Sequence, residues 1–430
     1  MNKRPNIVLI CTDQQRMDSL ACYGNQFVKS PNIDRFAKGA TRFTQAFTPW
    51  PVCTPARATM WTGVYPHLHG VIDNVYGVED AFASHSKIKA TAIDAIHQAG
   101  YLTAHFGKWH LGDRQPASFD IWEESFNSRQ GHWIDGLREG IYRPDQQTNA
   151  CVRFLETQQG GTQPFLMIQS YYPPHDPYTA PAKYFEPYRG RGIPFAGYYA
   201  AVTALDACTG KILDALDRTG HRENTIVIYF TDHGDTFWYR KEGEHKFVCF
   251  DDAIRIPFLV RGPNVVSGAI RDEHIGLQDI SPTIMDYAGV SPSPDMHGMS
   301  LRPLLEGRTV PWREGFYVQN ITHVSSIVQR CIRTQEWKLI AAENGEHQLF
   351  DLITDPEEEL DIFLTPRPDP GFERYKHLPD HATVIKTLCD QMEAEATRIS
   401  DAIGLKLATM VRAAIAPRLH KDNADVAQTR

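Results

Sequence analysis

A cysteine just ahead of a proline is the strongest candidate nucleophile in this chain of 430 residues. Cys53 lies two residues before Pro55, and the composition of Ala56 to Trp61 predicts a short helix. Pro55 is predicted to begin that helix and Gly63 to end it. Cys53 would then lie at a helix N-terminus, where unpaired N–H groups and the helix dipole stabilise a thiolate, an alkoxide or an incoming anion. Arg57, one helical turn further on, is within reach of an oxyanion.

Acidic residues follow two predicted buried strands. Asp13 comes after the apolar run Asn6 to Cys11, and Asp232 and His233 follow the run Thr225 to Phe230. In an open parallel sheet, ligands bind outside the carboxyl ends of the strands. Unpaired buried carboxylates are costly, and a divalent cation shared by these three side chains would satisfy them. Asp13 considered alone could equally cap a helix.

Basic side chains with the chemistry of acids, bases or anion ligands lie in two further loops. Lys108 and His110 lie between Gly107 and Gly112, after a predicted strand. Taken alone, that segment is equally consistent with a solvated loop. His175 lies among prolines, which stiffen its loop and hold it out from the sheet edge.

The elements that position these groups alternate along the first three quarters of the chain. Apolar β-rich runs are separated by helical stretches such as Ala92 to Ala99 and Tyr198 to Thr219. This alternation predicts an α/β fold with a large, mostly parallel sheet sandwiched by helices. The predicted buried strands are Asn6 to Cys11, Leu102 to Phe106, Phe165 to Ser170, Thr225 to Phe230 and Ile256 to Val260.

The pattern changes after about Arg313. Short strand-like pieces separated by turns predict an antiparallel sheet, and a helix is predicted from Ala382 to Arg398. We therefore predict a catalytic α/β domain at 1–313 and a smaller α+β subdomain at 314–430, with an antiparallel sheet and terminal helices. The predicted strands of the subdomain are Phe316 to Gln319, Ser326 to Arg333, Trp337 to Ala341 and His347 to Asp351.

Composition excludes some functions and indicates a compartment. The chain is 42% hydrophobic and 22% charged, with a formal net charge of −8, which argues against a general binder of nucleic acid or anionic membranes. The apolar run at Asn6 to Cys11 is too short for the core of a signal peptide. Eight cysteines without paired spacing predict free thiols and a cytoplasmic location.

Three segments together resemble the type I, formylglycine-dependent sulfatases of the alkaline phosphatase superfamily. They are the run Cys53-Thr54-Pro55-Ala56-Arg57 with Thr62-Gly63 after it, the run Gly107-Lys108-Trp109-His110-Leu111-Gly112, and the run Thr231-Asp232-His233-Gly234. The resemblance extends from Pro5 to about Asp361. It implies an alkaline phosphatase-like fold and a sulfatase that hydrolyses a sulfate monoester, with sulfated sugars as one substrate class.

The resemblance also implies how the substrate is attacked. Cys53 would be oxidised to formylglycine by a formylglycine-generating enzyme, and the hydrate of the aldehyde would be the nucleophile. Lys108 would contact the sulfuryl oxygens, His110 would steer the formylglycine hydroxyl, and His175 would lie near the leaving-group oxygen. Lys246 matches the family's second substrate lysine. The implied catalytic residues are thus Cys53, Arg57, Lys108, His110, His175 and Lys246.

In this family one divalent ion, usually calcium, is held at the nucleophile. The implied ligands here are Asp13, Gln14, Cys53, Asp232 and His233. The departure from the family pattern is Gln14, where many sulfatases carry a second Asp. Calcium is expected first because it is the family's usual ion, with Mn²⁺ or Mg²⁺ as alternatives. Calcium and magnesium prefer oxygen ligands whereas imidazole suits manganese or zinc, so Gln14 and His233 leave the identity of the metal open.

Several alternatives stay open at this point. Cys53 could act as an unmodified cysteine nucleophile, or the chain could be a non-catalytic metal-binding homologue. The Asp13-Gln14 pair also occurs in phosphonate monoester and phosphodiester hydrolases of the same superfamily, so phosphorus esters are the alternative substrates. Lys241 and His245 lie close to Lys246 and compete with it. The C-terminal helices offer a surface for a homo-oligomer.

No motif identifies the leaving alcohol. The loops expected to select it are His67 to Gly77, Asp113 to Gly140 and Trp238 to His245. Side chains near the motifs that could stack on a sugar ring are Trp50, Trp61, Tyr76, Trp238 and Tyr239, although aromatic residues in such places are as often part of the core. His69 and Asn74 could line a pocket or, equally, belong to a turn.

Overall fold

The computed structural model describes residues 4–88, 90–128, 131–134, 140–240, 245–364 and 380–428. The chain divides into two compact units. The first unit comprises Met1–Thr236 and Asp252–Trp312, and the second comprises Phe237–Asp251 and Arg313–Arg430. The domains expected from the sequence, 1–313 and 314–430, stay a prediction, and the segment Phe237–Asp251 was not expected to group with the C-terminal residues.

The first unit is built on a mixed sheet. Its strands are β1 Asn6–Asp13, β2 Thr41–Phe43, β3 Ala46–Phe47, β4 Leu102–Lys108, β5 Ile121–Phe126, β6 Phe165–Pro174, β7 Thr225–Thr231, β8 Phe258–Arg261, β9 Ile270–Arg271 and β10 Ile275–Gly276. In the described residues, eight of them form one sheet in the order β5-β4-β6-β1-β7-β8-β2-β9, and β10 pairs with β3.

Five consecutive strands of this sheet, β5, β4, β6, β1 and β7, are all parallel. β8 begins at Phe258 rather than Ile256 and runs antiparallel to β7, which makes the sheet mixed. Every residue of β1, β6 and β7 is buried, because helices cover both faces of these strands.

The helices are α1 Pro31–Lys38, α2 Cys53–Thr62, α3 Pro66–His69, α4 Ala81–Ser84, α5 Ala92–Gln98, α6 Arg143–Thr157, α7 Ala196–Arg218, α8 Asp251–Ile254, α9 Ile280–Ala288, α10 Arg302–Leu305, α11 Ala382–Arg398 and α12 Ala402–Gln428. α2, α5 and α9 share one hydrophobic cluster with Ile7 and Leu9 of β1. α6 and α7 pack against β6 outside that cluster. The predicted fold class, a large and mostly parallel sheet sandwiched by helices, is confirmed.

The helix that carries Cys53 begins earlier than predicted. α2 starts at Cys53 itself, so Pro55 is its third residue rather than its first. Proline is tolerated there because the N–H groups of the first turn have no partner inside the helix. Gly63 ends α2 as predicted, in the left-handed conformation with φ of 70°.

The second unit holds the antiparallel sheet. Strands β11 Phe316–Ile321, β12 Val328–Arg333, β13 Trp337–Ala342 and β14 Gln348–Asp351 pair in sequence order. α11 and α12 pack on β13, and Leu407, Val411 and Ile415 of α12 are buried. The small antiparallel sheet with terminal helices is therefore present as predicted. None of the helices in the described part of the chain is long and apolar enough to cross a membrane.

Candidate active site

The sequence motifs converge because they end neighbouring strands. β4, β6, β1 and β7 are adjacent and parallel, so their carboxyl ends share one edge of the sheet. Lys108 ends β4, Asp13 ends β1, and Asp232 follows β7 directly. His175 follows β6 in the same way. Parallel pairing therefore places side chains more than 200 positions apart at one site.

Cys53 points its sulfur into this site from the start of α2. Its side chain is buried, with Sγ 3.1 Å from Nε2 of His233 and 3.7 Å from Oδ1 of Asp13. The first turn of α2 is fixed from outside, because the N–H of Thr54 donates to Oδ1 of Asn74 at 3.1 Å. Asn74 thus supports the start of α2, the helix that carries Cys53. Its place in a loop predicted to select the substrate did not reveal this contact.

Arg57 ties three strand ends together. Its Nη2 donates to Oδ2 of Asp13 and its Nε to Oδ2 of Asp232, both at 3.0 Å. Its Nη1 donates to the carbonyl of Lys108 at 2.9 Å and to Oγ of Ser170 at 2.8 Å. These acceptors compensate the buried charge of the guanidinium, and the several hydrogen bonds fix the position of the side chain.

Lys108 lies on the other side of Asp13. Its Nζ donates to Oδ2 of Asp13 at 2.6 Å and lies 4.6 Å from the ring centre of Tyr172. Burial and the Cys53 sulfur act to raise the pKa of Asp13, but Lys108, His175 and Arg57 outweigh them and hold it below its usual value. Asp13 is therefore an anion at neutral pH.

His110 is a buried, neutral imidazole at neutral pH. Burial and the nearby Lys108 charge lower its pKa to about 4, while the Cys53 side chain acts in the opposite direction. Neither ring nitrogen finds a hydrogen-bond acceptor or donor of good geometry in the described residues. The backbone of His110 is left-handed, with φ of 57°, and its ring lies 5.6 Å from that of Tyr76.

His175 lies at the more exposed side of the site. Its Nδ1 is 2.9 Å from a carboxylate oxygen of Asp176, and its ring stacks on Tyr172 with centroids 4.8 Å apart. Because the carboxylate holds the proton at Nδ1, the orientation of the ring is fixed.

Four donor groups lie close enough to share one metal ion. A carboxylate oxygen of Asp13, Sγ of Cys53, a carboxylate oxygen of Asp232 and a ring nitrogen of His233 lie within 4.8 Å of one another, and all four residues are buried. Nδ1 of His233 is 2.8 Å from the carbonyl of Gly234, so Nδ1 carries the proton and Nε2 presents a lone pair toward Cys53. Two carboxylates with an imidazole lone pair and a sulfur are a donor set that fits a divalent cation. Burial and the nearby Asp13 raise the pKa of Asp232, and a cation would stabilise its charged form. Gln14 adjoins the group, since its N–H donates to Oδ1 of Asp232 at 3.2 Å.

Other predicted residues belong to the second unit or are buried. Lys246 belongs to the second unit, as do Trp238 and Tyr239, and Lys241 lies outside the described residues. Trp50, Trp61 and His69 are buried, with 2%, 3% and 0% of their surfaces exposed, which favours core positions, and their contact with a substrate stays a prediction. Tyr76 is 47% exposed and borders the site through His110.

Sequence reasoning missed Ser170, Asp235 and Tyr178. Ser170 is a polar residue inside the buried strand β6. A buried polar side chain needs a hydrogen-bond partner, and this was the signal that could have identified it. Asp235 is a second carboxylate in the run that contains Asp232, so its position was visible although its contacts were not. No sequence signal distinguished Tyr178.

The comparisons with known proteins agree with this geometry. The sulfatase family model matches residues 5–290, and the model for the C-terminal region of N-sulphoglucosamine sulphohydrolase matches residues 234–374. An arylsulfatase of Clostridium perfringens is 26% identical, over 93% of this chain and 96% of its own length. An N-acetylglucosamine-6-O-sulfatase of Bacteroides thetaiotaomicron is 27% identical, over 84% of this chain and 83% of its own.

Solved structures share the fold. A protein solved in complex with its substrate D-glucosamine-2-N,6-O-disulfate superposes with a TM-score of 0.76 at 24% identity, covering 93% of this chain and 99% of its own. The phosphonate monoester hydrolase of Agrobacterium radiobacter superposes with a TM-score of 0.69 at 20% identity, covering 90% and 96%. These likenesses establish the alkaline phosphatase-like fold. With two thirds of its length matched by the family model, the chain belongs to the sulfatase family and is a sulfuric ester hydrolase.

Proposed function

We propose that this sulfatase uses a formylglycine made from Cys53, together with one divalent cation at the Cys53 end of the site. The observation that carries the proposal is the position of Sγ of Cys53, at a helix N-terminus and inside the group of metal donors. The sulfur atom stands in for an oxygen of the hydrated aldehyde. The proposed ligands are Asp13, Gln14, Cys53, Asp232 and His233, with Ca²⁺ expected first and Mn²⁺ or Mg²⁺ as alternatives.

The two absent groups would supply distinct chemistry. The hydrate of formylglycine at position 53 would supply one hydroxyl to attack sulfur and a second whose deprotonation would expel sulfate, and a cation held by the Asp13, Asp232 and His233 side chains would supply positive charge for the sulfuryl oxygens. Lys108 adds a fixed positive charge beside Asp13, in a buried site where a preoriented charge is most effective. Arg57 keeps both carboxylates in place.

Proton transfer is proposed for the two histidines. His110 is neutral at neutral pH and can accept a proton from a hydroxyl at position 53. His175, whose Nδ1–H is held by Asp176, can in its doubly protonated form donate the proton of its other ring nitrogen to the departing oxygen. Lys246 is kept in the proposal as a second substrate lysine, on the strength of its motif alone.

The substrate proposed is a sulfated saccharide. Two relatives are named for such substrates, an N-acetylglucosamine-6-O-sulfatase and an ulvan-active sulfatase of Formosa agariphila that is 29% identical over 84% of this chain and 78% of its own length. Tyr76 supports the proposal from this chain, because an exposed aromatic ring beside His110 offers a face to a sugar. We expect Tyr76→Ala to raise KM for a sulfated saccharide about fivefold while kcat changes little. Tyr76→Phe should keep the wild-type KM, and an equal loss for a small aliphatic sulfate would contradict the stacking role.

One rate comparison tests the chemistry. Wild type and Cys53→Ala, made in a host with a formylglycine-generating enzyme, are compared on an aryl sulfate and an aryl phosphonate monoester with calcium or manganese. A Cys53-dependent preference for the sulfate is expected. A Cys53-dependent preference for the phosphonate would favour the second candidate, to which Gln14 and His233 in the metal group give some support.

Cytoplasmic location and self-association complete the proposal. All eight cysteines lie among the described residues as free thiols, which supports a reducing compartment. Cell fractionation tests the location, and sedimentation tests a homo-oligomer through the C-terminal helices.

A further inference from the structure

A third buried carboxylate stands beside the metal donors without being one of them. Asp235 is 0% exposed and lies three residues after Asp232. Among the described residues, the donors that lie within 4.8 Å of one another come from Asp13, Cys53, Asp232 and His233, and Asp235 is not in that group. A buried carboxylate needs partners, and those of Asp235 show what it does.

Two partners of the Asp235 carboxylate are an amide and a phenol. Its Oδ2 accepts a hydrogen bond from Nε2 of Gln14 at 2.7 Å and another from the hydroxyl of Tyr178 at 2.5 Å. Its backbone is held on both sides, because its N–H donates to the carbonyl of Asp252 and its own carbonyl accepts from Arg16, both at 2.8 Å. The carboxylate is therefore a fixed acceptor.

Gln14 is placed beside the metal group by its own backbone. Its N–H donates to Oδ1 of Asp232, and its carbonyl accepts from the hydroxyl of Tyr198 at 3.0 Å. The backbone is left-handed, with φ of 63°. These contacts position the residue, but they do not decide which end of its carboxamide is offered to a cation.

The hydrogen bond to Asp235 determines which end of the Gln14 carboxamide is available to a cation. An amide offers a hard cation its oxygen and not its NH₂ group, and the NH₂ group of Gln14 is committed to Asp235. We infer that Asp235 is a positioning residue that makes Gln14 a metal ligand by holding its amide nitrogen, and that this contact is why position 14 carries an amide. The inference rests on the metal centre of the proposed function.

The contact also reverses a simple expectation about charge. Counting charges alone, Gln14→Asp should bind a cation more tightly, as an added carboxylate usually does. Here the new carboxylate would lie next to Asp235 in a buried site, where like charges repel strongly and a hydrogen bond has been lost. In the double variant Gln14→Asp with Asp235→Asn, the neighbour of the new carboxylate is neutral, so the repulsion between like charges is removed.

The experiment measures cation affinity rather than activity. Dissociation constants for Ca²⁺ and for Mn²⁺ are determined by calorimetry for wild type, Gln14→Asp, Asp235→Asn, Asp235→Ala and the double variant. Thermal unfolding with chelator present, compared with wild type, checks that each chain is folded before titration. Tyr178→Phe is the matched control, since it removes the other hydrogen bond to the same oxygen and leaves the contact with Gln14.

The inference predicts a specific pattern of affinities. Gln14→Asp should bind at least tenfold more weakly, and Asp235→Ala several-fold more weakly. Asp235→Asn, which keeps an acceptor, and Tyr178→Phe should each stay within about threefold of wild type, and the double variant should recover to the same range.

Two results would overturn the inference alone. They are Gln14→Asp binding as tightly as wild type or more tightly, and a double variant no better than Gln14→Asp. If wild type bound neither cation, the metal centre of the proposed function would fail and the inference with it.

Discussion

Asp13 of the first unit and Asp401 of the second are both buried carboxylates paired with arginine, yet their surroundings differ. Oδ2 of Asp401 accepts from Tyr317, Gln319 and Arg330 at 2.9, 2.7 and 2.6 Å. Its Oδ1 accepts from Arg330 and from the N–H of Ile403 at 3.3 and 3.1 Å. Protein donors therefore surround both oxygens of Asp401.

In the described residues, strong hydrogen-bond donors reach only one oxygen of Asp13, Oδ2. Its Oδ2 accepts from Arg57 and Lys108, whereas its Oδ1 faces Sγ of Cys53 at 3.7 Å and Nε2 of His233 at 4.0 Å. Those two atoms are electron-pair donors to metals rather than strong hydrogen-bond donors. Burial and an arginine partner are common to both carboxylates and therefore do not identify the functional one. What distinguishes Asp13 is that its second oxygen faces metal-binding atoms rather than hydrogen-bond donors.

The largest contrast is expected from neutralising Asp13. Asp13→Asn keeps the shape of the side chain but removes the charge that pairs with Arg57, Lys108 and the proposed cation. We expect kcat/KM for an aryl sulfate to fall at least about 10²-fold, because fixed electrostatic terms dominate at such sites. Excess calcium should not restore the rate. If Asp13→Asn kept the wild-type kcat/KM, Asp13 would not be a functional carboxylate, and the distinction between Asp13 and Asp401 would be wrong.

Truncating Asp401 should affect stability instead. Asp401→Ala leaves the buried Arg330 without its carboxylate, which typically costs about 3–5 kcal/mol. Urea unfolding of the variant measures that loss, and kcat/KM per folded molecule should equal that of wild type. Asp390→Ala is the matched control, because the partners Lys386 and Arg412 are largely exposed and the expected cost is below about 1 kcal/mol. A tenfold loss of kcat/KM in folded Asp401→Ala would contradict the assignment.

His105 and His110 allow the same comparison between a structural and a functional residue, with a smaller expected effect. Burial lowers the pKa of His105 to about 3, inside a cluster of Trp109, Phe119 and Trp122. In the unfolded chain His105 is therefore protonated as the pH falls through about 6.5, whereas in the folded chain it stays neutral until about pH 3. Its contribution to the free energy of unfolding is present in full above the higher pH and is lost as the pH falls toward the lower one. Each such histidine contributes a slope of about 1.4 kcal/mol per pH unit below pH 6.

His105→Phe should flatten the fall of unfolding free energy between pH 6 and 4 by one such contribution, while the pH dependence of kcat stays as in wild type. His110→Phe removes a second buried neutral histidine, so it should also flatten this fall, but unlike His105→Phe it should reduce kcat at every pH. Urea unfolding and initial rates at matched pH values distinguish the two. An unchanged stability slope in His105→Phe would show that this histidine is not the neutral group described.

Much of this contrast could be predicted from the sequence. Buried parallel strands are continuous apolar runs, so β1, β4, β6 and β7 were placed to within a few residues, and the side chains after them met at one edge. The antiparallel direction of β8 was not readable, because an apolar run carries no sign of direction. The start of α2 was placed two residues late because a proline in the first turn looks like a proline at its beginning.

What the sequence did not reveal is how side chains pair across the fold. The runs that contain Asp13, Asp232 and Lys108 were recognisable, but the partners of Asp235 come from residues 221 and 57 positions away. Gln14 looked like a departure from a pattern until the structure placed a carboxylate at its amide nitrogen. Similarly, Asn74 looked like a specificity residue, whereas its oxygen accepts from the helix of Cys53.

The most direct test of the account is the chemical state of Cys53 in active enzyme. Wild type from a host that makes formylglycine is treated with a hydrazide that captures aldehydes, digested, and analysed by peptide mass spectrometry, and the captured fraction is compared with the rate on an aryl sulfate. The account predicts an aldehyde at Cys53 and a rate proportional to the aldehyde fraction across preparations. Full activity in a preparation whose Cys53 is an unmodified thiol would contradict it and leave the cysteine itself as the nucleophile.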